Sequence, residues 1–224
     1  NLDLVQKVLN LPNYVFSRTN NLEETPETSD EIVITFKNGD PIMINNKNYN
    51  AYEILKKLND LGKKHGIGRV DIVENRFIGM KSRGVYETPG GTILFHSHRA
   101  IESITLDREI SHKKDSIVSE YAELVYNGFW FSKKRKKLQD IVDLKRSDVN
   151  GEVKLKLFKG NVIILGRRSK NSLYDLSKVS FENNDRSDQK LADEFIKSQF
   201  SKINWIKFYI LLLFLKAIVV FLRR

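Results

Sequence analysis

A dense polar cluster within residues 65–89 constrains this chain more than any other feature. Val70, Ile72 and Val73 form a short β-branched run of the kind found in strands. The polar residues after that run are of many kinds, and they are Glu74, Asn75, Arg76, Lys81, Ser82, Arg83, Tyr86 and Glu87. Glycines within the same stretch allow the backbone to turn or to approach a ligand closely. The pattern predicts a strand that leads into a recognition site.

Two alternating patterns elsewhere predict β-hairpins. Residues 31–36 and 42–45 alternate on either side of Asn38–Gly39, a dipeptide typical of a tight turn between two strands. Residues 153–165 repeat the arrangement, with valine and leucine alternating with lysine before a turn at Gly160. Both segments are therefore expected to be antiparallel strand pairs.

Helical spacing of apolar residues dominates the middle of the chain. Residues 52–64 have an apolar stripe that ends before Gly66, and residues 92–131 read as mostly helical. One face of the second region is expected to be buried, and it carries Ile117, Tyr121, Leu124 and Val125. Strands first, helices in the middle and a late hairpin predict an α+β fold.

Composition excludes some kinds of site. The 224 residues contain no cysteine, so disulfides, thiolate metal sites and cysteine nucleophiles are excluded for this chain. The net charge of +10 would suit nucleic acid, and Lys133–Lys137 is the sharpest basic patch. However, Ser132 has the side chain of a helix N-cap, and an apolar stripe follows the patch. Because no nucleic-acid motif accompanies the charge, no nucleic-acid partner is expected.

Two further groups of titratable residues favour structural roles. His96 and His98 have the spacing of two metal ligands on a strand, but no third ligand lies nearby in the sequence. On a helix, residues two apart point in different directions. Asp107, Glu109 and Glu123 lie in a helical stretch with many charged residues. They are expected to be at the surface or ion-paired. No metal site and no catalytic residue is predicted.

The polar stretch closely resembles the synthetase domain of argininosuccinate synthase. The family pattern V-E-N-R-F-I-G-M-K-S-R-G-x-Y-E-T-P matches residues 73–89 without interruption. Further blocks of the family follow in the family's order, at residues 91–98, 104–109, 121–130, 157–161, 166–169 and 172–175. The resemblance predicts a synthetase-type domain over residues 32–196, preceded by a partial N-terminal segment and linker over 1–31.

The family joins citrulline to aspartate in the cytoplasm, using ATP and releasing AMP and pyrophosphate in arginine biosynthesis. Glu74 and Tyr86 align with the glutamate and tyrosine that contact citrulline in the family. The resemblance implies that Glu74 accepts a hydrogen bond from the substrate ammonium and that Tyr86 presents its hydroxyl. Both residues would position the substrate without taking part in the chemistry. Without the resemblance, an ion pair of Glu74 with Arg76 or Arg83 and a half-buried Tyr86 would be the simpler interpretation.

A phosphate-binding loop is missing from the sequence. The chain has neither a Ser-Gly-Gly loop nor a G-x-x-x-x-G-K-[ST] motif, and Pro89–Gly91 predicts only a turn that starts a helix. Because the family's nucleotide domain precedes its synthetase domain, the resemblance implies the second half of an enzyme, inactive alone. ATP with Mg²⁺, aspartate and the other citrulline contacts would belong to the complete enzyme. The alternative is a non-catalytic or degenerate synthetase-like module that binds an amino acid or a partner subunit.

Residues 197–224 do not resemble the family and are predicted to form an apolar C-terminal helix. Within residues 203–222 the only polar side chains are Asn204, Lys207 and Lys216. As a helix this stretch would be about 30 Å long, the thickness of a bilayer core. Three interpretations remain open: a homo-oligomer contact, as in the family's tetramer; a segment that associates the protein with a membrane; and a non-native tail.

Overall fold

A five-stranded antiparallel sheet and a separate two-stranded hairpin form the β part of the computed structural model, which describes residues 12–174. The strands are β1 (Asp30–Lys37), β2 (Asp40–Ile44), β3 (Lys47–Asn48), β4 (Arg69–Asn75), β5 (Lys81–Glu87), β6 (Gly151–Phe158) and β7 (Asn161–Arg168). The large sheet has the order β3-β2-β1-β6-β7, and β4 pairs with β5 alone. The late hairpin β6–β7 thus adds to the first hairpin through β1.

Within the described residues, five α-helices connect these strands. They are α1 (Ala51–Lys64), α2 (Pro89–Thr105), α3 (Arg108–Ser116), α4 (Val118–Tyr126) and α5 (Lys133–Val142), with short 3₁₀ turns at Asn13–Val15, Leu22–Glu24 and Arg146–Asp148. The predicted α+β fold with hairpins and a helical middle is therefore confirmed. Within residues 12–174 no helix has the length and apolar character needed to cross a bilayer. The apolar helix predicted over 197–224 lies outside the described residues.

The predicted hairpin turns form as the sequence indicated. Asn38 and Gly39 both have a left-handed backbone, with φ of 50° and 79°. That conformation matches the twist of the flanking strands, and asparagine and glycine tolerate it best. The same conformation closes the late hairpin at Lys159 and Gly160.

The core lies between the large sheet and the helices α1 and α2. Alternate residues of the central strands β1 and β6 point into it, as the period of two predicts. The core side chains include Ile32, Ile34, Phe36, Ile54, Leu58, Ile93, Ile101, Val153, Leu155 and Leu157. Helices α1 and α2 pack closely because Gly90 has no side chain: a Cβ there would lie 2.7 Å from Oδ1 of Asn59. Gly90 therefore serves helix packing, and α2 begins at Pro89, in agreement with the predicted helix start.

The prediction of a buried face around α4 is wrong for three of the four residues that it named. Ile117 is buried, but Tyr121 and Leu124 are only half-buried and Val125 is exposed. The reason is tertiary: α4 packs mainly against α3 and α5, and the core cluster of the described residues includes none of its side chains. An apolar stripe on a helix marks a contact surface without saying how deeply it is buried.

Two polar residues that the sequence singled out cap helices. Ser132 caps α5 by accepting a hydrogen bond from the Arg135 amide at 3.1 Å, and Asp107 caps α3 in the same way. His96 and His98 both lie on α2. Among residues 12–174 there is no group of three or more histidine and acidic residues that could hold a metal ion.

A buried ion pair ties α2 to α3 and makes stability depend on pH. The Glu102 side chain is 10% exposed and lies 3.1 Å from Lys114 Nζ and 3.5 Å from His98 Nδ1. Burial raises the pKa of Glu102, but the hydrogen bonds and charges of His98 and Lys114 outweigh burial and lower it from 4.5 to about 2. The ionised carboxylate therefore stabilises the fold above about pH 4.5, and this contribution is lost as the pH falls towards 2.

Replacing Glu102 with glutamine is expected to lower the free energy of unfolding by about 2–3 kcal/mol at pH 7, since it removes this charge. Urea unfolding at pH 7, 4 and 2.5 measures the difference between variant and wild type, which should shrink as the pH falls. Glu120→Gln, which breaks an exposed pair with Lys134, is the control and should cost less than about 1 kcal/mol. A Glu102→Gln protein as stable as the wild type at pH 7 would contradict the assignment.

Candidate functional site

The two predicted site residues lie on the same face of the β4–β5 hairpin. In the register of this hairpin, Glu74 pairs with Ser82, Ile72 with Gly84, and Val70 with Tyr86. Because side chains alternate between the two faces of a strand pair, Glu74 and Tyr86 project from one surface. The β-branched run of the sequence forms β4, as predicted.

Glu74 and Tyr86 are in direct contact. The Tyr86 hydroxyl donates to both carboxylate oxygens of Glu74, at 3.0 and 2.9 Å. The Glu74 side chain is only 11% exposed, although the hairpin lies at the surface. The hydrogen bond to Glu74 raises the pKa of the Tyr86 phenol above its ordinary value, since it favours the protonated form, and burial acts in the same direction. The structure thus brings together the two residues that the resemblance singled out.

The simpler interpretation of Glu74 as an ion-pair partner holds only in part. Arg76 Nη2 lies 3.6 Å from the Glu74 carboxylate, while its Nε donates to Ser82 Oγ at 2.6 Å. Arg83 lies on the opposite face of the hairpin, where its guanidinium binds Asp71 at 2.8 and 2.5 Å. The hydrogen bonds from Arg83 lower the pKa of Asp71. The pair also stabilises the hairpin on the face opposite Glu74 and Tyr86.

A carboxylate fixes the base of the hairpin to the segment before β1. Glu87 accepts hydrogen bonds from the amides of Ser17 and Arg18, at 2.8 and 3.0 Å, and from the Thr19 hydroxyl at 2.5 Å. Arg69, the cross-strand partner of Glu87, also donates to Thr19 Oγ1, at 2.7 Å. Burial raises the pKa of Glu87, but these hydrogen bonds outweigh it and lower the pKa. The hairpin is therefore held at the end that carries Tyr86.

The tip of the hairpin exposes apolar side chains. Phe77, Ile78 and Met80 are exposed there, as is Val73 in β4, and the Phe77 ring makes an edge contact with the Phe129 ring, with centroids 6.4 Å apart. A group of exposed apolar side chains of this kind is typical of an interaction site. The candidate site thus lies beside a surface suited to a further protein contact.

This arrangement is chemically suited to the recognition of an ammonium group. A shielded carboxylate binds an ammonium group strongly, because charge-assisted hydrogen bonds are stronger than neutral ones. The phenol of Tyr86 holds the carboxylate in place and adds a second polar contact. A carboxylate held by a phenol in this way is suited to positioning a substrate.

Comparison with known proteins agrees with the motif. Residues 3–204 match the family model of the arginosuccinate synthase C-terminal domain. The argininosuccinate synthase of Pelagibacter ubique is 55% identical over 192 residues, which are 86% of this chain and 49% of that protein. The argininosuccinate synthase of Nitratiruptor sp. is 54% identical over 179 residues, 80% of this chain and 44% of that protein. The chain spans about half the length of the curated relatives it matches.

Proposed function

The chain belongs to the argininosuccinate synthase family, and on that basis we propose that it is the synthetase half of an enzyme that joins citrulline to aspartate with ATP. The products would be argininosuccinate, AMP and pyrophosphate. The observation that carries the proposal is the hydrogen-bonded pair of Glu74 and Tyr86, inside the uninterrupted family motif of residues 73–89.

Citrulline is a zwitterionic amino acid with a neutral polar tail, so a binder needs an anion for its ammonium. In the proposal Glu74 supplies this anion, and Tyr86 orients it. The hydrogen bond between them exists without a ligand, so little side-chain freedom is lost when citrulline binds. The exposed hairpin tip would be covered in the complete enzyme, which would enclose the substrate.

ATP, with Mg²⁺, and aspartate are proposed to bind outside this chain. The sequence lacks the two phosphate-binding motifs named above, and residues 12–174 hold no acidic or histidine cluster of three that could bind a metal ion. Self-association through residues 203–222 remains a prediction from the sequence.

A fusion protein tests the proposal. The part of the Pelagibacter ubique synthase that precedes the matched region is joined to the N-terminus of this chain. We expect argininosuccinate and pyrophosphate to form only when citrulline, aspartate and ATP are all present. A well-folded fusion that binds citrulline without forming product would favour the non-catalytic alternative, and one that binds no citrulline would contradict the proposal.

Removing the Tyr86 hydroxyl is expected to have a moderate effect. In the fusion protein, Tyr86→Phe should raise the KM for citrulline about 2- to 10-fold, as expected for the loss of one hydrogen bond. The KM for ATP should not change. Tyr52→Phe, which alters an exposed tyrosine on α1, is the matched control. A rise in both KM values would point to a damaged fold instead of a lost substrate contact.

A further inference from the structure

We infer that Gly84 is a positioning residue, because the absence of a side chain there allows the Tyr86 ring to lie along β5 and reach Glu74. Its consequence for citrulline rests on the proposed function. The placement of the ring does not, and it can be tested separately.

The register of the β4–β5 hairpin places Tyr86 and Glu74 too far apart for an ordinary cross-strand contact. Tyr86 pairs with Val70, and Glu74 pairs with Ser82, so the two side chains start four positions apart on the shared face. Four residues of strand span roughly 13 Å. The side chains can meet only if they lean along the hairpin over the position between them, which is the Ile72–Gly84 pair.

The Tyr86 ring occupies the space that a side chain at Gly84 would fill. A Cβ built on Gly84 would lie 2.6 Å from Cε2, 2.8 Å from the hydroxyl oxygen and 2.9 Å from Cζ of Tyr86. Carbon atoms attract best at about 3.5–4.0 Å and repel strongly at such short distances. Any residue other than glycine would therefore displace the ring.

The backbone supplies no other reason for glycine at this position. Gly84 lies in the middle of β5, and unlike Gly79 at the hairpin tip it has no left-handed φ. Alanine can adopt the same backbone, and a glycine inside a strand ordinarily weakens the strand. A glycine here is thus explained by the close approach of the aromatic ring.

The expected result of Gly84→Ala follows from the exposure of Tyr86. Because Tyr86 is 42% exposed, the ring can swing towards solvent without moving the strand. The hairpin should stay folded, while the Tyr86 hydroxyl leaves the Glu74 carboxylate. Glu74 would then be more accessible to water and less well oriented.

NMR of the full chain with ¹³Cζ-labelled tyrosine tests the placement of the ring. The Tyr86 resonance is assigned by its loss in Tyr86→Phe, and its pKa is measured by titration. The Tyr86 pKa should be above its ordinary value in the wild type and should fall towards that value in Gly84→Ala. The matched control is Gly166→Ala in β7, where an added Cβ has no neighbouring atom of the described residues within 4 Å. An unchanged Tyr86 pKa in Gly84→Ala would overturn the inference.

Kinetics of the fusion protein test the consequence for substrate. Gly84→Ala should raise the citrulline KM about as much as Tyr86→Phe, roughly 2- to 10-fold, with the ATP KM unchanged. The double variant should be no worse than Tyr86→Phe alone, because both changes remove the same contact. A double variant whose citrulline KM rises by the product of the two single effects would overturn the inference. If Gly84→Ala shifts the Tyr86 pKa but no variant alters the citrulline KM, the inferred placement of the ring is supported. The proposed function is then contradicted.

Discussion

Glu74→Gln is expected to weaken citrulline binding by about 2–4 kcal/mol in the fusion protein, roughly 30- to 1,000-fold. The Glu74 carboxylate is only 11% exposed, so an ammonium bound to it would be largely removed from water. A neutral amide of the same shape cannot balance that charge, and it also presents an NH₂ donor to a group that needs an acceptor. Calorimetric titration with citrulline measures the loss directly.

The control uses the opposite face of the same hairpin. Asp71→Asn breaks the pair with Arg83 and removes the same kind of charge, but it does not touch the Tyr86 face. Citrulline affinity should be nearly unchanged in this variant, and ATP binding should be unchanged in both. Equal losses of ATP and citrulline affinity in Glu74→Gln would show a damaged fold, and wild-type citrulline affinity would exclude Glu74 as the ammonium ligand.

The chain alone is expected to form no argininosuccinate. Adenylation requires donors aimed at the phosphate oxygens, and the sequence lacks the glycine-rich motifs that supply them. Purified chain is incubated with ATP, citrulline and labelled aspartate, and product and pyrophosphate are measured, with the fusion protein as the positive control. Turnover on the order of one per second by the chain alone would contradict the expectation.

Much of the fold could be predicted because its signals are local. Asn38–Gly39 requires a left-handed turn, and alternation over residues 153–165 places a hairpin on either side of Gly160. Asn50 and Glu53 form a capping box at the start of α1, just before the predicted apolar stripe. In each case the residues that determine the element lie within a few positions of one another.

The parts that sequence reasoning missed depend on distant residues. Glu87 binds the Thr19 segment across 68 positions, so no local pattern reveals it. From the sequence, the glycines of this stretch, Gly84 among them, are expected to allow a turn or the close approach of a ligand. In the structure the Tyr86 ring lies over Gly84 instead. A glycine two positions before a tyrosine in a strand was the available signal, because residues two apart share a face. The resemblance identified Glu74 and Tyr86, but only the hairpin register brings them into contact.

The most direct test of the citrulline site observes Tyr86 while substrate binds. Citrulline is titrated into the fusion protein carrying ¹³Cζ-labelled tyrosine, with and without ATP. If Glu74 binds the substrate ammonium, its hydrogen bond from Tyr86 must change, and the assigned Tyr86 resonance should shift with the same midpoint as citrulline binding. A Tyr86 resonance that stays fixed while citrulline saturates the enzyme would contradict the account.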